Sequence, residues 1–500
     1  MIRTPEEYVK SLNDGRILYY MGEKIPDITK NDLLRRIIDA ESMDWVIANH
    51  PKFRDLLTTE DENGDRIMFL WKQPETAEDL VRRRSIYLTC CRIGMGGGSS
   101  LHSMGVDALA ASGFVAKKMD KQLGTHYMDA VEDYRQHLKK TDPGITGAIT
   151  DVKGNRSLRP SAQEQHKDFF VRVVDRQKDG IVVRGAKMHI TATLGANEII
   201  CSPCRAHREE DKDYALVFAT PLNAEGVKLI ASPPEVKELG EEANWDWPYT
   251  GKRGGSSECL IVLDDVFVPW NRVFMCGEWQ FSRDIAWAFG TFHRVYGTAH
   301  TVAKLELKVG LAALIAEQNG VDRYPHIQEK LSWLANHAAT VDIISQAACE
   351  HPDFDPQTGL AAPNLMYANV AKYKFANDSF ESSKLVTDIA GGLVSDTFCY
   401  RDWMNPEERP VLEKYLAGKA GIPTEHRLLA LRLIKDVTGN FHDSTAIHGE
   451  GSLAAQRMAI YAAADWDRYK SVAKRVAGIP GWEELPEFKD LPEYPPKYDF

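Results

Sequence analysis

No apolar run in this sequence approaches the ~20 residues that a helix needs to cross a bilayer. The opening residues, MIRTPEEYVK, also lack the apolar core of a signal peptide. A cytoplasmic protein with no membrane partner is expected. Basic charge is short as well: 61 Lys and Arg stand against 72 Asp and Glu, for a formal net charge of -11. A nucleic-acid partner would need a basic stripe or patch and is not expected. A local basic pocket for a phosphate-bearing ligand is still open. Cysteine is sparse, with 8 in 500 residues, which argues against a disulfide framework. Cys201 and Cys204, in CSPC, have zinc or redox spacing, but without a second CxxC they read as buried free thiols. Internal repeats, low-complexity tracts and a nicotinamide-dinucleotide fingerprint are missing too.

What is present is ordinary globular material, 43% hydrophobic and 27% charged. Its length exceeds one compact core, so two or three domains are expected. Residues 1–145 read as a helical domain. NDLLRRIIDAESMDWVIANH, for example, starts at the N-cap residue Asn31 and spaces its apolar residues for a helix. Residues 146–275 change to short β-branched runs such as DFFVRVVDRQKDGIVVRGAKMHITAT, with KDGI at a hairpin turn, and ECLIVLDDVFVPW. Strands this close together predict an antiparallel barrel or sandwich, and a β-barrel domain is expected. Within it, residues 233–257 form a loop long enough to be functional. Residues 276–479 return to amphipathic helices. Ile327, Leu331, Leu334, Ala338 and Val341 make one apolar stripe, as in a helical bundle. Residues 480–500, rich in proline and aromatics, predict an extended tail. The order is an N-terminal helical domain, a central antiparallel β-barrel and a C-terminal helical bundle, an α+β architecture. It is similar to the acyl-CoA dehydrogenase arrangement, in which flavin lies between the β domain and the bundle.

Six stretches carry a more specific resemblance: EEYVKSLNDGRILYYMGEKI, ITGAITDVKGNRSLRPSAQ, DGIVVRGAKMHITAT, DDVFVPWNRVF, FHRVYG and HGEGSLAAQRM. They are collinear over nearly the whole chain. Together they resemble the superfamily of 4-hydroxyphenylacetate 3-hydroxylases and 4-hydroxybutyryl-CoA dehydratases, with the dehydratase branch nearer in sequence. The resemblance implies FAD and usually a homotetramer. It also implies one of two chemistries. The hydroxylases use reduced FAD (FADH2) and oxygen on phenols. The dehydratases add a [4Fe-4S] cluster, held by three cysteines and one histidine, and act on a CoA thioester. Two of those cysteines lie four apart just before a GxDA sequence, and the third follows the YG of the histidine motif. Here GVDA is Gly105 to Ala108, but the three places hold Ser99, Ser103 and Ala299. Serine and alanine cannot replace thiolate at an iron–sulfur site. Cys90 and Cys91 do not restore the spacing, so no iron–sulfur cluster and no other metal is expected. The glycine-rich stretch GMGGGSS before it lacks the Lys-Ser/Thr of a P-loop. It reads either as a helix–helix turn or as backbone passing close to flavin or substrate.

The resemblance places three candidate catalytic residues. His293, in FHRVYG, would be the base: deprotonating a phenol makes it a better nucleophile, and imidazole titrates near neutrality. Tyr296 could hydrogen-bond substrate or flavin, or be a half-buried core tyrosine. Glu258 matches an active-site glutamate of the dehydratases, or is a solvated strand end. Departures exist on both sides. His300 and Thr445 stand where the dehydratases carry lysine and a second glutamate. Gly98 and His102 stand near the hydroxylases' Arg and Tyr, while the VPW ending at Trp270 resembles the hydroxylases. For the cofactor, Ile149 and Thr150 suit the flavin edge and Lys153 and Arg156 its phosphates. Thr191 could bond the ring. Gly391 and Gly392 would let backbone approach the pyrophosphate, and His448, Gln456 and Arg457 would open a helix N-terminus toward it. The expected function is an FADH2 monooxygenase of a phenol-like aromatic, fed by a separate flavin reductase. The alternative is a cluster-free acyl-CoA isomerase, dehydratase-like enzyme or oxidoreductase. A flavin-binding protein without catalysis is the third reading.

Overall fold

The computed structural model describes residues 2–94, 101–234, 236–254, 258–356, 358–439, 441–482 and 486, the side chains of 441–444 excepted. The glycine-rich run 95–98, Ser99 and nearly all of the expected tail lie outside the described residues.

Helix dominates both ends. Ala77–Ile93 starts at a capping box in which Thr76 and Asp79 satisfy each other's backbone N–H groups. Met104–Leu123 follows and stops at Gly124, whose φ of 70° is the left-handed conformation of a helix stop. After Tyr127–Thr141 the chain enters its sheets. Beyond them, Ser282–Gln318 runs for 37 residues, about 56 Å. It packs against Met104–Leu123 on one side and against Pro325–Glu350 and Leu365–Ala390 on the other. Every residue from Thr291 to Ala299 is therefore buried. A helix segment enclosed all round must pair its polar side chains or leave them unsatisfied. That rule governs the site described below.

The β region forms two sheets. One has six strands in the order Glu23–Ile25, Ile17–Tyr20, Val227–Ala231, Cys259–Pro269, Gly180–Ile190, Arg172–Arg176. The other has four: Val273–Cys276, Leu216–Pro221, Glu198–Cys201, Ile145–Ala148. The hairpin expected at KDGI forms, with Arg176 opposite Ile181. Among the described residues no closed antiparallel barrel is found: these strands lie in two sheets, and two pairings are parallel. Ile17–Tyr20 lies parallel to Val227–Ala231, and Ile145–Ala148 parallel to Glu198–Cys201. Strands of four residues bury too little to advertise a partner far away in sequence, so their pairing is set by tertiary packing. The loop at 233–257 carries two short helices, Gly240–Asp246 and Thr250–Arg253. Buried Asp436 pins it by accepting from the Tyr249 and Thr250 amides, at 2.7 and 2.8 Å.

One glycine fixes how sheet and helix meet. A Cβ on Gly105 would lie 2.2 Å from the Ile145 side chain. Only glycine lets Met104–Leu123 pass this close to Ile145–Ala148, and that contact sets where Asp107, two residues on, can point.

Candidate functional site

His293 sits in the enclosed middle of Ser282–Gln318, and its Nδ1 donates to Asp107 Oδ2 at 3.0 Å. Asp107 is fully buried. Its other oxygen accepts the Tyr87 hydroxyl at 2.7 Å, and Arg83 Nε and Nη2 approach it at 3.3 Å each. Arg83 also donates to the Val106 carbonyl at 2.9 Å and to the Tyr87 oxygen at 3.0 Å. Burial, with Asp107 adding, pushes the Tyr87 hydroxyl well above its ordinary range, so it stays a donor. The carboxylate is thus held by three side chains from two helices, and it fixes both the tautomer and the ring orientation of His293. Phe289 and Tyr296 stack along the imidazole at 5.1 and 5.4 Å, with interplanar angles of 23° and 16°. Tyr296 is buried rather than half-buried and meets Tyr87 edge-on at 5.4 Å. His300 stacks on Tyr296 in turn. Burial pushes the His300 imidazole well below its ordinary value, with Lys304, Arg253, Lys372 and His293 adding to the effect, so it is neutral at physiological pH.

A second group of charges lies one turn along from His293. Lys372 is buried on Leu365–Ala390 and donates to Glu450 at 3.0 Å and to the Ala446 carbonyl at 2.9 Å. Nearby, burial pushes the Arg294 guanidinium down to about 10 against the opposing pull of Glu450. Arg294 Nε and Gln456 Oε1 are buried and find no partner among the described residues.

Glu258 precedes the strand Cys259–Pro269 and is buried, not solvated as a strand end would be. It accepts the Thr191 hydroxyl. Burial pushes its carboxyl up to about 7, and the Thr191 hydrogen bond only partly opposes this. Thr191 is itself tied down, since its carbonyl accepts from Thr146 at 2.8 Å.

The remaining sequence-predicted residues fall into separate groups. Ile149 and Thr150 sit where their carbonyls accept from Lys187 and from the Met188 amide, each at 2.9 Å. Lys153 takes a φ of 78° in the exposed turn that carries Arg156. Gly391 and Gly392 are exposed at the end of Leu365–Ala390, with open space where a Cβ would point. Gln456 is buried in the second turn of Leu453–Ala463 and Arg457 beside it is exposed. His448 does not open that helix. It is the last residue of Phe441–His448, because the glycines of HGEG break the helix there.

Sequence reasoning missed Asp107, Tyr87, Arg83, Lys372 and Glu450. Asp107 had a signal: it is the one acid in the apolar run GVDALAASGF. His207 was also passed over, although CSPCRAH places it three residues after Cys204. Cys204 donates to Asp151 at 3.1 Å, beside the buried Lys187–Asp151 pair at 2.6 Å, and both thiols are free. Burial pushes both of those thiols up. Among the described residues no group of three His, Cys, Asp or Glu side chains could hold a metal ion. Ser103 and Ala299, at two of the cluster-cysteine places, are both buried. No described helix is long and apolar enough to cross a membrane.

Comparison with known proteins follows the same lines. Residues 4–275 match the family model "4-hydroxyphenylacetate 3-hydroxylase N terminal", and residues 282–478 match its C-terminal counterpart. The chain is 31% identical over 496 residues to 4-hydroxybutyryl-CoA dehydratase/vinylacetyl-CoA-Delta-isomerase of Clostridium aminobutyricum, covering 96% of this chain and 100% of that one. It is 30% identical over 449 residues to the oxygenase component of 4-hydroxyphenylacetate 3-monooxygenase of Thermus thermophilus, covering 88% and 89%. Among solved structures, the 4-hydroxybutyryl-CoA dehydratase from N. maritimus superposes with a TM-score of 0.88 at 30% identity, covering 96% of each chain. A 4-hydroxyphenylacetate 3-monooxygenase oxygenase component complexed with FAD gives 0.84 at 26% identity, covering 95% and 98%. FAD is the cofactor of this group. Two family models that together span almost the whole chain, and full-length relatives of both chemistries, make this protein a member of the 4-hydroxyphenylacetate 3-hydroxylase family.

Proposed function

We propose that the protein is a reduced-flavin monooxygenase that hydroxylates a phenol-like aromatic substrate. The observation that carries the reading is the buried Asp107–His293 pair. With Nδ1–H committed to a carboxylate, Nε2 is the basic nitrogen, and it can take a phenol proton. This is the logic of an oriented imidazole base. Phe289 and Tyr296 line the ring along the helix, and Tyr296 would help seat an aromatic substrate against it.

The residues present fit FAD. Buried Arg294 Nε and Gln456 Oε1 have no partner among the described residues, as polar groups that await a ligand do. Gly391 and Gly392 leave open backbone, and Lys153 and Arg156 supply cations for a diphosphate. Thr191 and the backbone of Ile149 and Thr150 would face the ring edge. When bound, FADH2 supplies two electrons for the reduction of O2, so that one oxygen enters the ring and the other leaves as water. No nicotinamide-dinucleotide fingerprint is present, so a separate reductase would deliver the reduced flavin. Exposed Met458, Tyr461, Trp466, Tyr469 and Val476 on the last two helices support a self-associated form, a homotetramer by family resemblance.

A second reading has an observation of its own. The Glu258 carboxyl, pushed up to about 7, is poised to exchange a proton at neutral pH, as a base acting beside a CoA thioester would. Two assays separate the readings. One supplies simple phenols, FAD, a flavin reductase with NADH, and 18O2, and follows the product by mass spectrometry. The monooxygenase reading predicts a catechol-type product carrying one 18O. The other assay offers vinylacetyl-CoA and 4-hydroxybutyryl-CoA without reductant. Conversion there, with no 18O product in the first assay, would overturn the proposal in favour of CoA-thioester chemistry.

A further inference from the structure

Glu450 lies on the loop between Phe441–His448 and Leu453–Ala463, with glycine on both sides. Its φ is 54°, a left-handed conformation that side chains other than Asn and Asp seldom take. The neighbouring Gly451 has a φ of 101°. This backbone turns the side chain inward. The carboxylate reaches Lys372 Nζ at 3.0 Å and is only 15% exposed. Its path runs over Gly297, one helical turn beyond His293. A Cβ on Gly297 would lie 2.4 Å from the Glu450 carboxyl carbon. A small residue on the enclosed helix is thus the condition for the carboxylate to be there. Burial alone would raise the Glu450 carboxyl. Lys372, His293 and Lys304 together outweigh that and hold it below its ordinary value.

We infer that Glu450, anchored by Lys372, is a positioning residue for His293, a fixed negative charge over Gly297 one turn from the imidazole. His293 then works between two carboxylates. Asp107 orients it through Nδ1 with Arg83 and Tyr87 behind, and Glu450 acts through space. Other charged and titratable groups around the site are Lys372 on Leu365–Ala390, Arg294, Tyr296, His300 and Lys304 on the histidine's own helix, and Arg253 on the 233–257 loop. The lysines and arginines among them disfavour an imidazolium, and the Glu450 carboxylate opposes them. The inference rests on His293 being the base.

The test is Glu450→Gln, which keeps the shape and an acceptor for Lys372 but removes the charge. Glu450→Asp and Lys372→Gln are the companion variants. With histidine labelled at Cε1 and Nε2, NMR reads the titration of His293, assigned by its loss in His293→Gln. Glu450→Gln should lower the His293 midpoint by roughly one unit, about tenfold in proton affinity. Lys372→Gln should move it the other way. The acidic limb of the kcat/KM profile should shift with it, while KM changes little. Thermal melting and retained FAD confirm that the variants are folded, and Glu450→Asp should restore part of the shift. An unmoved His293 midpoint in folded Glu450→Gln overturns the inference. The NMR arm does not depend on which reaction is catalysed. A moved midpoint without hydroxylated product would therefore leave this inference standing while the monooxygenase reading fails.

Discussion

Two buried carboxylates, one on the helical side and one on the sheet side, meet opposite treatment. Asp107 has no exposed surface, yet it is surrounded by donors: Tyr87, Arg83 and the His293 ring. Glu258 is buried too, and the Thr191 hydroxyl donates to it against its desolvation. Its carboxyl is pushed up to about 7. Burial is common to both, and the partners differ: Asp107 faces a guanidinium, a phenol hydroxyl and the His293 ring, while a neutral hydroxyl donates to Glu258.

Removing the charge on the helical side should have the largest effect. Asp107→Asn leaves the shape but no longer favours the Nδ1–H tautomer of His293. Turnover should fall about a thousandfold with little change in KM, by analogy with the loss seen when an orienting aspartate is neutralised. Steady-state kinetics on whichever substrate the two assays identify would measure it, and a loss under tenfold would mean that Asp107 does not orient the base. Arg83→Met attacks the same pair through stability. It strands a buried carboxylate with neutral donors, and about 3–5 kcal/mol should be lost. Calorimetry at neutral pH reads this directly. A drop under 1 kcal/mol would show that Tyr87 and His293 suffice to hold Asp107.

On the sheet side the sign reverses. The Glu258 folded midpoint, about 7, lies above its ordinary 4.5. The folded protein therefore holds this proton more tightly than the unfolded chain. The stabilisation is fully present below about 4.5 and is lost as the pH rises through 7. Glu258→Gln removes the dependence. In the flavin-free protein the variant should match wild type near pH 4.5 and exceed it by roughly 3 kcal/mol at pH 8. Denaturant unfolding across that range checks it, and parallel curves for the two proteins would refute the raised midpoint.

The two sides also differed in how far the sequence revealed them. His293, Tyr296, Glu258 and Thr191 could be named as candidates because they stand in stretches that resemble the family's motifs. Asp107 could have been read by a stricter rule, since a lone acid in a run as apolar as GVDALAASGF needs a partner. The partner itself, His293, is far away in sequence and becomes visible only when two helices cross. Glu450 was less legible still. Its role depends on a left-handed backbone between glycines and on the missing side chain of Gly297, neither of which has a periodic signature. The same limit explains the sheets. ILYY at Ile17–Tyr20 reads as a strand, but nothing in four residues names Val227–Ala231 as its parallel neighbour. Helices were legible because their signal is local, while closure of a barrel depends on pairings that are not.

The finest test of the contrast lies in the Thr191 hydroxyl that donates to Glu258. Thr191→Val keeps the volume and the β-branched shape and removes only the hydroxyl. Because that hydrogen bond favours the ionised carboxylate, its loss should raise the Glu258 midpoint further, by about half a unit to one unit. The carboxylic acid C=O stretch, followed by difference infrared spectroscopy against Glu258→Gln, gives the midpoint without relying on activity. A single neutral hydrogen bond is worth about 1 kcal/mol, so a shift of this size is what one lost donor can produce. A much larger shift would mean that Thr191 also shapes the solvation of the site. No shift would mean that burial, and not the Thr191 hydroxyl, sets the Glu258 carboxyl.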